Sequence, residues 1–125
     1  MTYLLDVNAL LAAIIQSHPN HAVADTWIQR KKLAVCPLSE LGFLRISAHP
    51  RAYNHPMSIA RQALRDFMAH HRVEFVAADL PALKAAAAKS GDVTDGYLSE
   101  LAAQHRMKLA TLDAGIPHPA VELIR

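Results

Sequence analysis

The sequence predicts an α/β fold with a central, mainly parallel sheet, and three observations carry that prediction. Short β-type runs alternate with longer helical ones from end to end. The chain has 125 residues, enough for one domain with one hydrophobic core and too few for two. Residues are 52% apolar and 19% charged, ordinary for a globular protein, with no repeat, low-complexity tract or interdomain linker.

The elements follow in order. Residues 2–5 form a first strand, and 9–16, apolar at nearly every position, a well-buried helix. A second helix over 21–32 places Ala22, Ala24, Trp27 and Ile28 on a shared face. Residues 33–36 form the second strand, stopped by Pro37, and Ser39 stands as the N-cap of a helix reaching about residue 47. Pro50 and Pro56 mark 49–57 as a connecting loop. Ser58 caps a helix over 59–71 whose inner side carries Ala60, Ala63, Leu64, Phe67 and Met68; a short strand follows at 73–76. Asp79 caps an alanine-rich helix over 81–89, with Pro81 suited to its first turn, and Ser90-Gly91-Asp92 breaks it. Thr94 caps a helix over 95–105, and strands at 109–112 and 121–124 complete the chain.

No apolar run approaches the roughly 20 residues that span a bilayer, and the N-terminus lacks the basic segment of a signal peptide, so the expected location is cytoplasmic. The one cysteine, Cys36, cannot form an internal disulfide. A formal net charge of +2 with a pI near 8.9 permits nucleic-acid binding without demanding it.

Four acids share a placement. Asp6 follows the first strand, Asp113 follows a later one, Glu40 comes just after the second strand in the first turn of the next helix, and Asp95 is the first residue of its helix, behind the Thr94 cap. Ligands of parallel sheets bind beyond the carboxyl ends of the strands, so all four side chains are expected at one edge. Singly, Glu40 and Asp95 read as acids placed by the helix dipole and Asp113 as a turn residue. Asp6 is different, because an acid between Tyr-Leu-Leu and an almost wholly apolar helix is expected to be partly buried, which is costly unless it is paired or metal-bound. Together the four would repel unless a cation sat among them. Oxygen ligands suit Mg²⁺ or Mn²⁺, and such a site hydrolyses phosphodiesters.

These residues also carry a resemblance. Tyr3-Leu4-Leu5-Asp6-Val7-Asn8-Ala9-Leu10-Leu11 resembles the first motif of PIN domains, particularly the VapC-like toxins of bacterial toxin–antitoxin pairs. The run from Cys36 to Arg45 is similar to the second motif, Val93-Thr94-Asp95-Gly96-Tyr97-Leu98 to the third, and Leu109-Ala110-Thr111-Leu112-Asp113 to the fourth. The resemblance covers essentially the whole chain, 1–125, as a single PIN domain. It implies a three-layer α/β/α sandwich and a Mg²⁺- or Mn²⁺-dependent endoribonuclease. It also implies a VapB-like antitoxin partner and a homodimer. By position, Asp6 and Asp95 match the strongest metal ligands, Glu40 and Asp113 the acids that complete the site, and Asn8 and Thr94 supporting polar residues. Gly96 stands where many relatives have alanine, and Asp92 is a nearby carboxylate with no assigned part, read as a surface residue.

Arg45, about a turn beyond Glu40, is a candidate phosphate contact. Arg61 with Arg65 forms another basic cluster, and Arg30-Lys31-Lys32 reads as a solvated helix end. His18, His21, His70 and His71 lack the cysteine partners or HExxH spacing of a zinc site, and Ser39 lacks a nucleophile elbow. Two alternatives stand beside the nuclease: a non-catalytic PIN-like module that binds RNA or an antitoxin, and a small aspartyl phosphatase or receiver-like domain. The Asp6-Val7-Asn8 run lacks the second aspartate of the phosphatase.

Overall fold

Strand runs buried on both sides should form the middle layer, and they do. The computed structural model describes residues 1–85 and 87–125. The first half runs β1 (Thr2–Leu5), α1 (Val7–Ile14), α2 (His21–Ile28), β2 (Lys32–Val35), α3 (Pro37–Ala48) and α4 (Met57–His70). The second half runs β3 (Glu74–Phe75), two single 3-10 turns, α5 (Val93–Gln104), β4 (Lys108–Thr111) and β5 (Val121–Leu123). All strand pairs are parallel, in the order β3-β2-β1-β4-β5. No helix among the described residues is long and apolar enough to cross a membrane.

Successive strand residues face opposite layers. Leu5, Leu33, Val35 and Ala110 pack with Leu10, Ile28, Phe43 and Leu64 of α1 to α4, whereas Leu4, Ala34 and Leu109 pack with Leu98 and Leu101 of α5. The result is three layers, helices on both faces of the sheet.

Three expected caps move. Ser39 and Thr94 lie inside the first turns of α3 and α5, and Ser58 inside that of α4; the N-cap positions belong to Cys36, Asp92 and Pro56. Pro37, pre-set for a first helical turn, starts α3 before Ser39 is reached. The alanine-rich helix also fails: Ala82–Lys84 is a single 3-10 turn with Ala85 extended beyond it, and Ala86 lies outside the described residues. Leu83 is 99% exposed there and packs on nothing, and propensity alone does not hold a short helix. Asp79 caps nothing in this segment. Its Oδ1 meets His105 Nε2 at 2.9 Å and accepts from Gln104 at 3.0 Å.

Three helices hand over to strands through an arginine with left-handed backbone: Arg30 (φ 62°), Arg72 (φ 51°) and Arg106 (φ 58°). After α4 and α5 this closes Schellman turns, Val73 N–H donating to Met68 O at 2.9 Å and Met107 N–H to Ala102 O at 2.8 Å. Glycine is the usual residue there, because a Cβ costs roughly 1–2 kcal/mol in that conformation.

Candidate active site

The order of the strands places a switch point between β1 and β4. The chain leaves β1 toward β2 and β3, then crosses back to add β4 on β1's other side. A crevice beyond the carboxyl ends of these two strands is where a parallel sheet offers a ligand site. Asp6 follows β1 there directly. Its extended backbone (ψ 176°) makes it the N-cap of α1, with Oδ1 accepting from Ala9 N–H at 2.7 Å. Its own N–H donates to Ala110 O of β4 at 3.2 Å. The residue is only 4% exposed. Burial pushes its carboxyl up to about 6, and the charges of Asp95 and Asp113 push the same way against hydrogen bonds from Thr111 and Ala9.

Asp95 sits in the first turn of α5, half-buried. Burial raises its carboxyl, and the neighbouring charges of Asp113 and Asp92 raise it further. Asp113 lies just past β4 and is exposed, its Oδ1 accepting from Gly115 N–H at 2.8 Å. Its N–H donates to Thr111 Oγ1 at 3.0 Å, so the fully buried Thr111 links the Asp113 turn to the Asp6 carboxyl. Sequence reasoning missed Thr111. Its signal was a hydroxyl ending an apolar strand two residues before an acid.

The structure thus brings Asp6, Asp95 and Asp113 within reach of one another's charge. Glu40 stands differently: its half-buried carboxyl is raised by burial alone. It lines a groove of about 270 Å³ between α3 and α4 together with Arg61 and Arg65. Asn8 points to His18, whose Nε2 lies 2.9 Å from Asn8 Oδ1. Thr94 lines an apolar groove with Leu38, Leu80 and Tyr97. Arg45 is exposed on α3. Asp92 is exposed at the start of α5, close enough to act on Asp95.

Ser39 supports the site from below. It is fully buried and donates to Leu5 O at 2.7 Å, fastening α3 to the strand end that presents Asp6. Ser39→Ala removes that donor and is expected to lower stability by about 1–3 kcal/mol, read by thermal or denaturant melting. An unchanged melting point would show that the carbonyl is satisfied without it.

Three carboxylates under mutual repulsion at one crevice are a donor set for a hard divalent cation. Among the described residues no group of three or more Asp, Glu, His or Cys side chains is close enough in this structure to hold a metal ion. Sites for Mg²⁺ or Mn²⁺ commonly use only one or two carboxylates and leave places for water and phosphate oxygens.

Comparison with known proteins agrees with this layout. Residues 3–122 match the PIN domain family model. The chain is 34% identical to Ribonuclease VapC38 of Mycobacterium tuberculosis, covering 97% of this chain and 96% of that protein. It is 31% identical to Ribonuclease VapC29 of the same organism, covering 94% and 90%. Among solved structures, VapBC2 from Rickettsia felis bound to a DNA fragment from its promoter superposes with a TM-score of 0.65. That match covers 98% of this chain and 97% of that one, at 14% identity.

Proposed function

The chain belongs to the PIN domain family, and from that premise we propose that it is a Mg²⁺- or Mn²⁺-dependent endoribonuclease, the toxin of a VapBC-type toxin–antitoxin pair. The observation that carries this reading is the buried Asp6 carboxyl, raised to about 6 beside Asp95 and Asp113 at the switch point of the sheet. The curated relatives are named as VapC ribonucleases, which supports the reaction and the toxin role. A VapB-like antitoxin, a homodimer, a cytoplasmic location and a single domain over 1–125 are parts of the same proposal.

Asp6 and Asp95 would hold the ion. When bound, it supplies charge to the phosphate oxygens and lowers the pKa of a coordinated water. The chain's own groups do the rest. The Ala9 amide and the Thr111 hydroxyl fix the Asp6 carboxyl in one orientation. Asp113, exposed at the rim, would orient the attacking water, and Glu40, which lines the groove between α3 and α4 with Arg61 and Arg65, would face the RNA.

The test is cleavage of a fluorogenic RNA. Activity with Mg²⁺ or Mn²⁺ should vanish in EDTA and return when the metal is restored. Asp95→Asn should lower the rate by about 100- to 1,000-fold while circular dichroism stays unchanged, the scale expected for losing one preorganised electrostatic group. A folded Asp95→Asn protein that cuts at the wild-type rate would overturn the assignment.

A further inference from the structure

We propose that the opposite edge of the sheet, where the strands begin, is a second RNA-binding surface that holds phosphates remote from the scissile one. The proposal rests on the ribonuclease reading for its ligand, and on separate residues for its evidence.

The three left-handed arginines all lie on this edge. Arg30 precedes β2, Arg72 precedes β3 and Arg106 precedes β4, each two residues before its strand. Strands lie about 4.8 Å apart, so across the order β3-β2-β1-β4 this row spans about 14 Å. At each position glycine would sit without strain, and each holds the side chain whose planar fork matches a phosphate. Strain persists where the surroundings impose it and clusters at working sites.

Charge and shape agree. Lys31 and Lys32 follow Arg30, and with Arg72, His71 and Glu74 they line a groove of about 480 Å³. Among the described residues, Arg30, Lys31, Lys32, Arg72 and Arg106 have no carboxylate within 4.0 Å. Lys31 is held at the rim by Trp27, its Nζ donating to Trp27 O at 2.7 Å and lying 4.4 Å from the ring centroid. The acids nearby do not cancel the row: Glu122 is taken by Lys108 at 3.4 Å and Asp79 by His105 and Gln104, leaving Glu74 and Asp25. Three carboxylates therefore gather where the strands end, and a row of cations where they begin. The four residues of β1 put about 13 Å between the two edges, so a dinucleotide, whose single phosphate is the scissile one, cannot engage both.

The experiment is the triple variant Arg30→Gly, Arg72→Gly, Arg106→Gly, which removes the charges and relieves the backbone. Binding is measured to a long single-stranded RNA in an Asp95→Asn background with EDTA, where nothing is cut. Affinity should fall on the order of 100-fold at about 0.1 M salt, and the log–log salt slope should shrink by about 2, or about 0.7 for each lost phosphate contact. The triple lysine variant keeps the charges and should keep most of the affinity. With Asp95 and metal restored, the glycine variant should cut a dinucleotide at the wild-type kcat/KM and a long RNA with raised KM and unchanged kcat.

Wild-type affinity and salt slope in the glycine variant overturn the proposal, as does an equal loss on the dinucleotide. Loss of binding to phosphatidylglycerol vesicles with RNA affinity unchanged overturns it in favour of a membrane surface. A chain that binds RNA through this edge but cleaves none overturns the ribonuclease reading alone.

Discussion

Asp6→Asn should sharply lower RNA cleavage and, in the same protein, raise the stability of the metal-free fold. The substitution is nearly isosteric, and asparagine caps helices as well as aspartate does, so the bond from Ala9 N–H to the side-chain oxygen survives. What disappears is a buried charge. The Asp6 carboxyl rises from its ordinary value of 3.8 to about 6, a difference of about 3 kcal/mol. The sign follows from proton binding: between those two values the folded chain holds the proton and the unfolded chain has lost it. Wild-type stability therefore falls by about that amount as pH climbs from about 4 to about 6, and stays lower above.

The variant lacks that slope. Its advantage in EDTA should be small near pH 4 and reach about 3 kcal/mol by pH 7, measured by urea melts at each pH. Adding Mg²⁺ should raise the melting point of the wild type and leave the variant's nearly unchanged. Cleavage should drop by about 100- to 1,000-fold. A variant no more stable than wild type at pH 7 would mean that the Asp6 carboxylate is compensated without a metal.

Gly42→Ala should cost both stability and activity although it lies away from the carboxylates. A Cβ at position 42 of α3 would stand 2.8 Å from Val7 Cγ1 and collide with Val7 Cγ2. Val7 is β-branched and begins α1, so it has essentially one rotamer and cannot swing aside. The start of α1 must move instead, and Asp6 is the residue before it. Overpacking of about 1–3 kcal/mol outweighs the gain of about 1 kcal/mol in helix propensity. The melting point should fall by several degrees, and because a displacement of about 1 Å can cost about 100-fold, cleavage should fall further than stability. Adding Val7→Ala should restore a large part of both, the two changes combining far better than their sum. If Gly42→Ala melts and cuts like wild type, the α1–α3 contact is not what positions Asp6.

Much of this was legible in the sequence because it is local. Residues 2–5 match β1, and other element boundaries fall within a few residues of the observed ones, since apolar spacing reports which face a segment buries. The placement of Asp6 and Asp113 after strands and of Asp95 at a helix start was equally readable. Capping was not. A cap is set by which residue takes extended backbone at the helix start, and Pro37 and Asp6 claimed those turns before the serine or the apolar run could. The alanine-rich stretch misled for the opposite reason, offering propensity while its large apolar side chain, Leu83, stays exposed. Arg30, Arg72 and Arg106 gave no signal, because a left-handed turn is read from glycine or asparagine and these positions hold neither.

By itself the sequence determined the alternation of strands and helices, and with it the sheet end to which the carboxylates belong. Only the tertiary structure decided how they sort there. Asp6, Asp95 and Asp113 share one field, whereas Glu40 faces a groove shared with Arg61 and Arg65. The reason is physical: a residue's place along its own element follows from its neighbours in the chain. Its distance from an acid ninety residues away follows from strand order and from how closely helices such as α1 and α3 can pack, and no local pattern encodes either.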